Sequence, residues 1–70
     1  MKIGDAFKLV DAAQFVDVWT EGGWFARVGK SAIKRDIHAA VTNGKRVTIS
    51  KEVRDTMLFV GSRDGEEVTL

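Results

Sequence analysis

Apolar positions recur at spacings of three and four residues in two stretches of the chain, as on one face of a helix. This pattern predicts a short N-terminal helix over residues 5–13, capped by Asp5. It also predicts one main amphipathic helix over residues 31–43, capped by Ser31 and stopped by Gly44. The apolar stripes are Ala6, Leu9, Val10 and Ala13 in the first helix, and Ile33, Ile37, Ala40 and Val41 in the second.

The segment between these helices has the composition of a β-hairpin. Residues 15–20 and 24–28 are rich in β-branched and aromatic side chains, and Gly22-Gly23 between them supplies the positive φ that a tight turn needs. With these glycines as a two-residue turn, Trp19 would pair with Ala26. That register places Phe15, Trp19, Trp24, Ala26 and Val28 on one face, and Val16, Val18 and Phe25 on the other.

Both faces of the predicted hairpin are therefore apolar, although a sheet that packs on helices needs only one apolar face. Either a second layer covers the other face, or its aromatic side chains bind a partner. The candidate protein-binding residues are Phe15, Trp19, Trp24 and Phe25.

Further strands are predicted over residues 46–50, 57–60 and 66–70, the last two joined by a type I′ turn at Asp64-Gly65. Residues 51–56 are compatible with a helical turn or with a continuing strand. The element order α-β-β-α-β-β-β predicts one small α+β domain over residues 1–70, with a largely antiparallel sheet of about five strands.

The composition restricts how so short a chain can be stabilised. It has 70 residues, no cysteine and one histidine, so disulfides and thiolate metal sites are excluded, and a small domain of this kind is marginally stable alone. Oligomerisation or a bound partner remains available, and no cofactor is expected. The chain shows no signal peptide and no membrane-spanning run, and its lack of cysteine fits a reducing compartment, so we expect a cytoplasmic location.

The charge is distributed unevenly along the chain. The net charge is +1, but residues 27–54 carry eight basic and two acidic residues, and both flanking segments are net acidic. Either the acidic ends neutralise the middle, or the middle forms a basic patch that binds anions or nucleic acid. The candidates for such binding are Lys30, Lys34, Arg35, Lys45, Arg46, Lys51 and Arg54.

Two local features of the sequence bear on catalysis or ligand binding. Gly29-Lys30-Ser31 matches the end of a phosphate-binding Walker loop, but Trp24 stands where the motif needs a glycine; the looser interpretation is one anion at the helix start. His38 has no nucleophile or orienting carboxylate at a suitable spacing, which indicates a solvent-facing helix residue. We expect no catalytic residues and no small-molecule substrate.

One segment resembles the strand-turn-helix core of the AbrB-type swapped-hairpin DNA-binding domains. The resemblance rests on Val47-Thr48-Ile49-Ser50-Lys51-Glu52-Val53-Arg54 and on the later Gly65-Glu66 before a closing strand. Ser50 stands where that family has proline, and the first forty residues have no counterpart. The resemblance implies that Arg54 faces DNA in a dimer.

Two functional classes follow. The first is a non-enzymatic protein-binding module that self-associates or docks on a larger protein, comparable in size to small accessory proteins of phages and mobile elements. The second is a nucleic-acid-binding protein that uses residues 27–54.

Overall fold

The computed structural model of the chain describes residues 1–52 and 57–70. This part of the chain forms two helices and five strands: α1 (Ile3–Ala12), β1 (Phe15–Thr20), β2 (Gly23–Val28), α2 (Lys30–Thr42), β3 (Thr48–Glu52), β4 (Met57–Gly61) and β5 (Glu66–Glu67). The strands form one sheet in the order β2-β1-β4-β3-β5. Neighbouring strands are antiparallel except for the parallel pair β1–β4. The predicted α+β class with its largely antiparallel sheet is confirmed.

Both helices contribute to one core with one face of the sheet, and this core is aliphatic. Its most buried large side chains are Val10, Val16, Ile37 and Leu58, with 2% exposure or less. None of the four phenylalanines and two tryptophans belongs to the buried core; Phe7 packs against it while partly buried. The apolar stripes predicted for the two helices therefore face the sheet. Among the described residues, neither helix is both long and apolar enough to cross a bilayer.

Helix α1 begins before the predicted position because the first residues pair with the last ones. The Ile3 amide donates to the Thr69 carbonyl oxygen at 2.7 Å, and the Thr69 amide donates to the Met1 carbonyl oxygen at 2.8 Å. This pairing fixes the chain up to Lys2, which becomes the N-cap. Asp5, predicted as the cap, lies instead in the first helical turn, where a carboxylate interacts favourably with the helix dipole.

Helix α2 also begins one residue earlier than predicted. Its N-cap is Gly29, which is extended and has no side chain to accept a capping hydrogen bond. The helix starts there because the Ile33 amide donates to the Gly29 carbonyl oxygen at 3.0 Å. Ser31 is therefore inside the first turn. At the other end, Gly44 has a φ of +75°, and the prediction of a left-handed stop is confirmed.

The hairpin strands form as predicted, but their register differs. The turn is at Glu21-Gly22, Thr20 pairs with Gly23, and Trp19 pairs with Trp24. A β-bulge then shifts the register, so that Val18 rather than Trp19 pairs with Ala26. Because one side chain is added at the bulge, Ala26 and Val28 lie on the helix side with Val16 and Val18, and not with Trp19 and Trp24.

The C-terminal strands also depart from the prediction. Strand β3 runs to Glu52, so Lys51 and Glu52 extend a strand where the AbrB-type resemblance implies a helix. Strands β4 and β5 lie on opposite sides of β3, so Asp64-Gly65 belongs to a crossing connection and not to a hairpin turn. Strand β5 has two residues instead of five because the chain then leaves β3 to pair with the N-terminus. Residues 53–56, part of the ambiguous segment, lie outside the described residues.

Candidate functional site

The sheet surface opposite the helices carries a cluster of aromatic rings and arginines. The pairing register of β1 with β4 places Phe15 opposite Met57, Asp17 opposite Phe59, and Trp19 opposite Gly61, all on this side of the sheet. In the described part of the chain, no helix or strand covers this surface. We call it the aromatic face and define it by Phe15, Trp19, Trp24, Arg27, Phe59 and Arg63.

One half of the aromatic face is organised by Arg27. Its guanidinium donates to both carboxylate oxygens of Asp17, with Nε–Oδ1 at 2.9 Å and Nη2–Oδ2 at 3.5 Å. It also lies over the Phe15 ring, 4.4 Å from the centroid. The pKa of Asp17 lies below its ordinary value, chiefly because of the Arg27 hydrogen bond, with burial opposing and a hydrogen bond from Trp24 supporting the shift. The same contact raises the pKa of Arg27.

The other half of the aromatic face is organised by Arg63. The Trp19 and Phe59 rings meet edge to face, with centroids 5.6 Å apart. The Arg63 guanidinium lies over both, 4.8 Å from the Trp19 centroid and 4.2 Å from the Phe59 centroid. It also donates to Glu52 at 3.0 Å. Each arginine of this face therefore contacts aromatic rings and one carboxylate.

Backbone geometry brings Arg63 over these rings. Gly61 has a φ of +129°, and the Ser62 amide donates to the Trp19 carbonyl oxygen at 2.9 Å. A Cβ at Gly61 would lie 2.1 Å from that same oxygen. The Thr48 hydroxyl contacts the carbonyl oxygens of Gly61 and Arg63, which fixes the start of the 62–65 connection.

Two polar atoms of this side of the sheet are shielded from solvent without a hydrogen-bond partner among the described residues. They are the Trp19 Nε1 and the Ser50 Oγ; Ser50 pairs with Phe59 in the sheet. A buried donor without an acceptor costs about 1–3 kcal/mol. The polar network of the aromatic face is therefore incomplete within the described chain.

The structure brings three of the four predicted protein-binding residues together. Phe15 is 44% exposed and Trp24 is 57% exposed, and both lie on the aromatic face with the partly buried Trp19. Phe25 is the extra residue of the bulge and is 65% exposed. Their role in binding stays a prediction.

Four contributors to this surface were not among the predicted site residues. Strand pairing brings in Asp17, Arg27 and Phe59. The connection that follows β4 brings in Arg63. Side chains alternate between the two faces of a strand, so the predicted strand at residues 57–60 could have placed Met57 and Phe59 on one face. No local signal in the sequence, however, links that strand to β1. The parallel pairing of β1 with β4 is what assembles the site.

Several of the predicted anion-binding residues form ion pairs or hydrogen bonds with other parts of the chain. The Lys30 ammonium donates to the Asp11 carbonyl oxygen at 2.8 Å, and the Lys34 ammonium lies 2.5 Å from the Asp11 carboxylate. These contacts hold both lysines against α1, so they are not arranged around an anion at the start of α2. Arg46 lies 3.7 Å from the Glu67 carboxylate.

The remaining basic candidates are distributed over different elements. Arg35 is exposed on α2, Lys45 is exposed before β3, and Lys51 is exposed within β3. Arg54 lies outside the described residues. An open groove of about 590 Å³ at one end of the sheet is lined by Lys45, Arg46 and Arg63, but also by Glu21 and Asp64.

No arrangement typical of a metal site occurs among residues 1–52 and 57–70: no three His, Cys, Asp or Glu residues are grouped there. His38 is exposed on α2, as the sequence predicts. In comparisons with protein-family models, curated proteins and solved structures, the chain has no match.

Proposed function

We propose that this chain is a small non-enzymatic protein-binding module of the cytoplasm, which contacts its partner through the aromatic face. The observation that carries the proposal is the location of the aromatic rings. Phe15, Trp19, Trp24 and Phe59 lie together on an uncovered sheet surface, whereas the buried core contains none of them. Exposed apolar patches mark interaction surfaces, and Trp and Arg are enriched among residues that dominate binding energy.

The unsatisfied polar atoms give further support. An indole N–H and a hydroxyl on the same side of the sheet lack partners among the described residues, and a protein partner supplies carbonyl oxygens in abundance. Both atoms are shielded from solvent in the single chain, so a partner would reach them only after side chains of the aromatic face rearrange. A surface that combines rings with guanidinium groups suits a protein better than a purely apolar ligand.

The ion pairs of the basic segment favour a protein partner over nucleic acid. A phosphate-binding surface needs several Lys and Arg side chains presented together. Here acidic residues from the flanking segments pair with the basic middle: Asp11 with Lys34, Asp17 with Arg27, and Glu67 with Arg46. The uneven charge along the sequence is thus partly balanced within the fold.

The proposal is tested by affinity capture with the immobilised chain from a nuclease-treated extract of the cells that produce it. We expect Trp24→Ala to lose the captured protein, because truncating a central aromatic typically costs about 2 kcal/mol or more. The matched control is the double variant Arg35→Glu/Lys45→Glu, which reverses two exposed charges and should retain the captured protein. Lys34 is unsuitable for the control, since its reversal would place two carboxylates together at Asp11.

A salt titration with a labelled random-sequence oligonucleotide tests the competing function. Four to six phosphate contacts would give a slope of about −4 to −5 in log K against log salt concentration. Such a slope, made shallower by about 2 in Arg35→Glu/Lys45→Glu and unaffected by Trp24→Ala, would show that the chain is a nucleic-acid-binding protein and that the proposal is wrong.

A further inference from the structure

We infer that the partner of the aromatic face is a second copy of this chain, whose own aromatic face packs against it so that two sheets form a sandwich. This inference rests on the proposed function and specifies the partner. It is carried by the exposed rings of the face, its charge balance and the distribution of apolar side chains between core and surface.

The face offers a second copy a sheet surface with exposed rings. It is one side of a five-stranded sheet, with Phe15 44% exposed and Trp24 57% exposed. Two such faces can pack as aligned sheets about 10 Å apart.

The charged groups of the face are paired within each copy, as far as residues 1–52 and 57–70 are concerned. Arg27 pairs with Asp17, and Arg63 pairs with Glu52. A face with a net charge would favour a partner of opposite charge, but the net charge of these four groups is zero. Two copies related by a twofold axis would therefore meet without repulsion, and the arginines could each reach a carboxylate or a ring of the other copy.

In a single copy, the largest apolar side chains do not contribute to the buried core. In the part of the chain that the structure describes, the buried hydrophobic core contains aliphatic side chains only, and the largest rings remain outside it. Domains of this size commonly need a further source of stability. The chain has no cysteine, and residues 1–52 and 57–70 hold no group of metal-ligating side chains. Burying Phe15 and Trp24 against their counterparts would extend the core by a second apolar layer.

Sedimentation and fluorescence, measured over a concentration series, test the inference together. The chain contains two tryptophans, and both lie on the aromatic face, so intrinsic emission reports on this surface. We expect the sedimenting mass to double from 7.7 kDa at micromolar concentration, with a shift of the emission to shorter wavelength. Trp24→Glu and Phe15→Glu should each raise the dissociation constant at least about thirtyfold.

Leu70→Ser is the matched control, because Leu70 is 60% exposed and apolar but is not part of the aromatic face. It should leave the dimer intact, and circular dichroism should show all variants folded. A monomer up to hundreds of micromolar would overturn the inference. So would a dimer that forms without an emission shift, or one that persists in both glutamate variants, because either would place the contact elsewhere.

The two experiments distinguish failure of the dimer inference from failure of the proposed protein-binding function. If the chain is monomeric but Trp24→Ala still abolishes affinity capture, the inference that the partner is a second copy is wrong, and the protein-binding function stands. If the dimer forms through the aromatic face and capture of other proteins does not depend on Trp24, self-association is the use of this surface.

Discussion

The two faces of the five-stranded sheet differ in chemistry as well as in cover. Adjacent residues of β4 show the difference: Leu58 is 2% exposed beneath the helices, whereas Phe59 lies on the other side under the guanidinium of Arg63. The helix-covered face is aliphatic, and the uncovered face is aromatic and charged. A chain that needed its aromatic rings only for stability would place them where burial is complete, since Phe and Trp contribute the largest apolar areas.

The covered face should determine the stability of the chain. We expect Leu58→Ala to lower the free energy of unfolding by about 2–5 kcal/mol, because it leaves a cavity beneath the helices. Trp24→Ala, on the aromatic face, should lower that of the single copy by about 1 kcal/mol or less, because its ring is 57% exposed there. Urea denaturation measures both, at protein concentrations too low for a dimer to form. Equal losses from the two variants would contradict the division between a structural and a binding face.

Gly61 offers a test at the junction of β4 with the Arg63 connection. Gly61→Ala should destabilise the chain by about 1–3 kcal/mol, because alanine at a φ of +129° is strained and its Cβ would collide with the Trp19 carbonyl oxygen. The control is Gly22→Ala, whose added Cβ would have Thr20 Oγ1 as its nearest neighbour at 3.7 Å, an ordinary contact. Thermal unfolding midpoints that fall equally in both variants would show that the close approach at Gly61 is not tightly constrained.

The smallest expected effect concerns the ion pair between Asp17 and Arg27. Because the folded-state pKa of Asp17 is lowered, chiefly by Arg27, the pair's contribution is fully present above the unfolded-state pKa of about 3.9. It is lost as the pH falls through the folded-state pKa. The stability difference between the parent chain and Arg27→Gln should therefore stay constant from pH 7 down to about pH 4 and shrink as the pH falls further.

Urea denaturation at several pH values measures this difference, and Asp17→Asn with the double variant completes the cycle. The effect should be modest because the Arg27 side chain is 51% exposed and solvent screens its charge, whereas the Asp17 side chain is 5% exposed. A difference that does not vary with pH would mean that Arg27 stabilises the aromatic face through its contact with Phe15 alone.

Local sequence patterns predict most of the elements of this fold and little of their assembly. The helical stripes, the strand at residues 15–20 and the stop at Gly44 follow from periodicity and glycine conformation, and each is present in the structure. The hairpin register does not follow, because periodicity does not reveal the bulge at Phe25. This extra residue determines the face of the sheet on which Ala26 lies. The start of α1 depends on Thr69, far away in the sequence.

The candidate site shows the same limit. The aromatic residues of the hairpin are conspicuous in the sequence, but Phe59 and Arg63 reach them through pairing of β1 with β4. Propensity and periodicity describe neighbours along the chain and give no information about which distant strands will pair. The basic segment, prominent by composition, is partly balanced by ion pairs that only the folded chain reveals.

The parallel pair in the middle of the sheet also affects the order in which the chain can fold. Strand β1 pairs with Met57–Gly61, which follows β2, α2 and β3 in the chain and is therefore synthesised after them. Until then the hairpin is a two-stranded ribbon, which is marginal in water, and it has Val16 and Val18 on one side and Trp19 and Trp24 on the other. Nonlocal pairing of this kind slows folding. The interval before β4 arrives is therefore when the nascent chain is most exposed to aggregation or to capture by a chaperone.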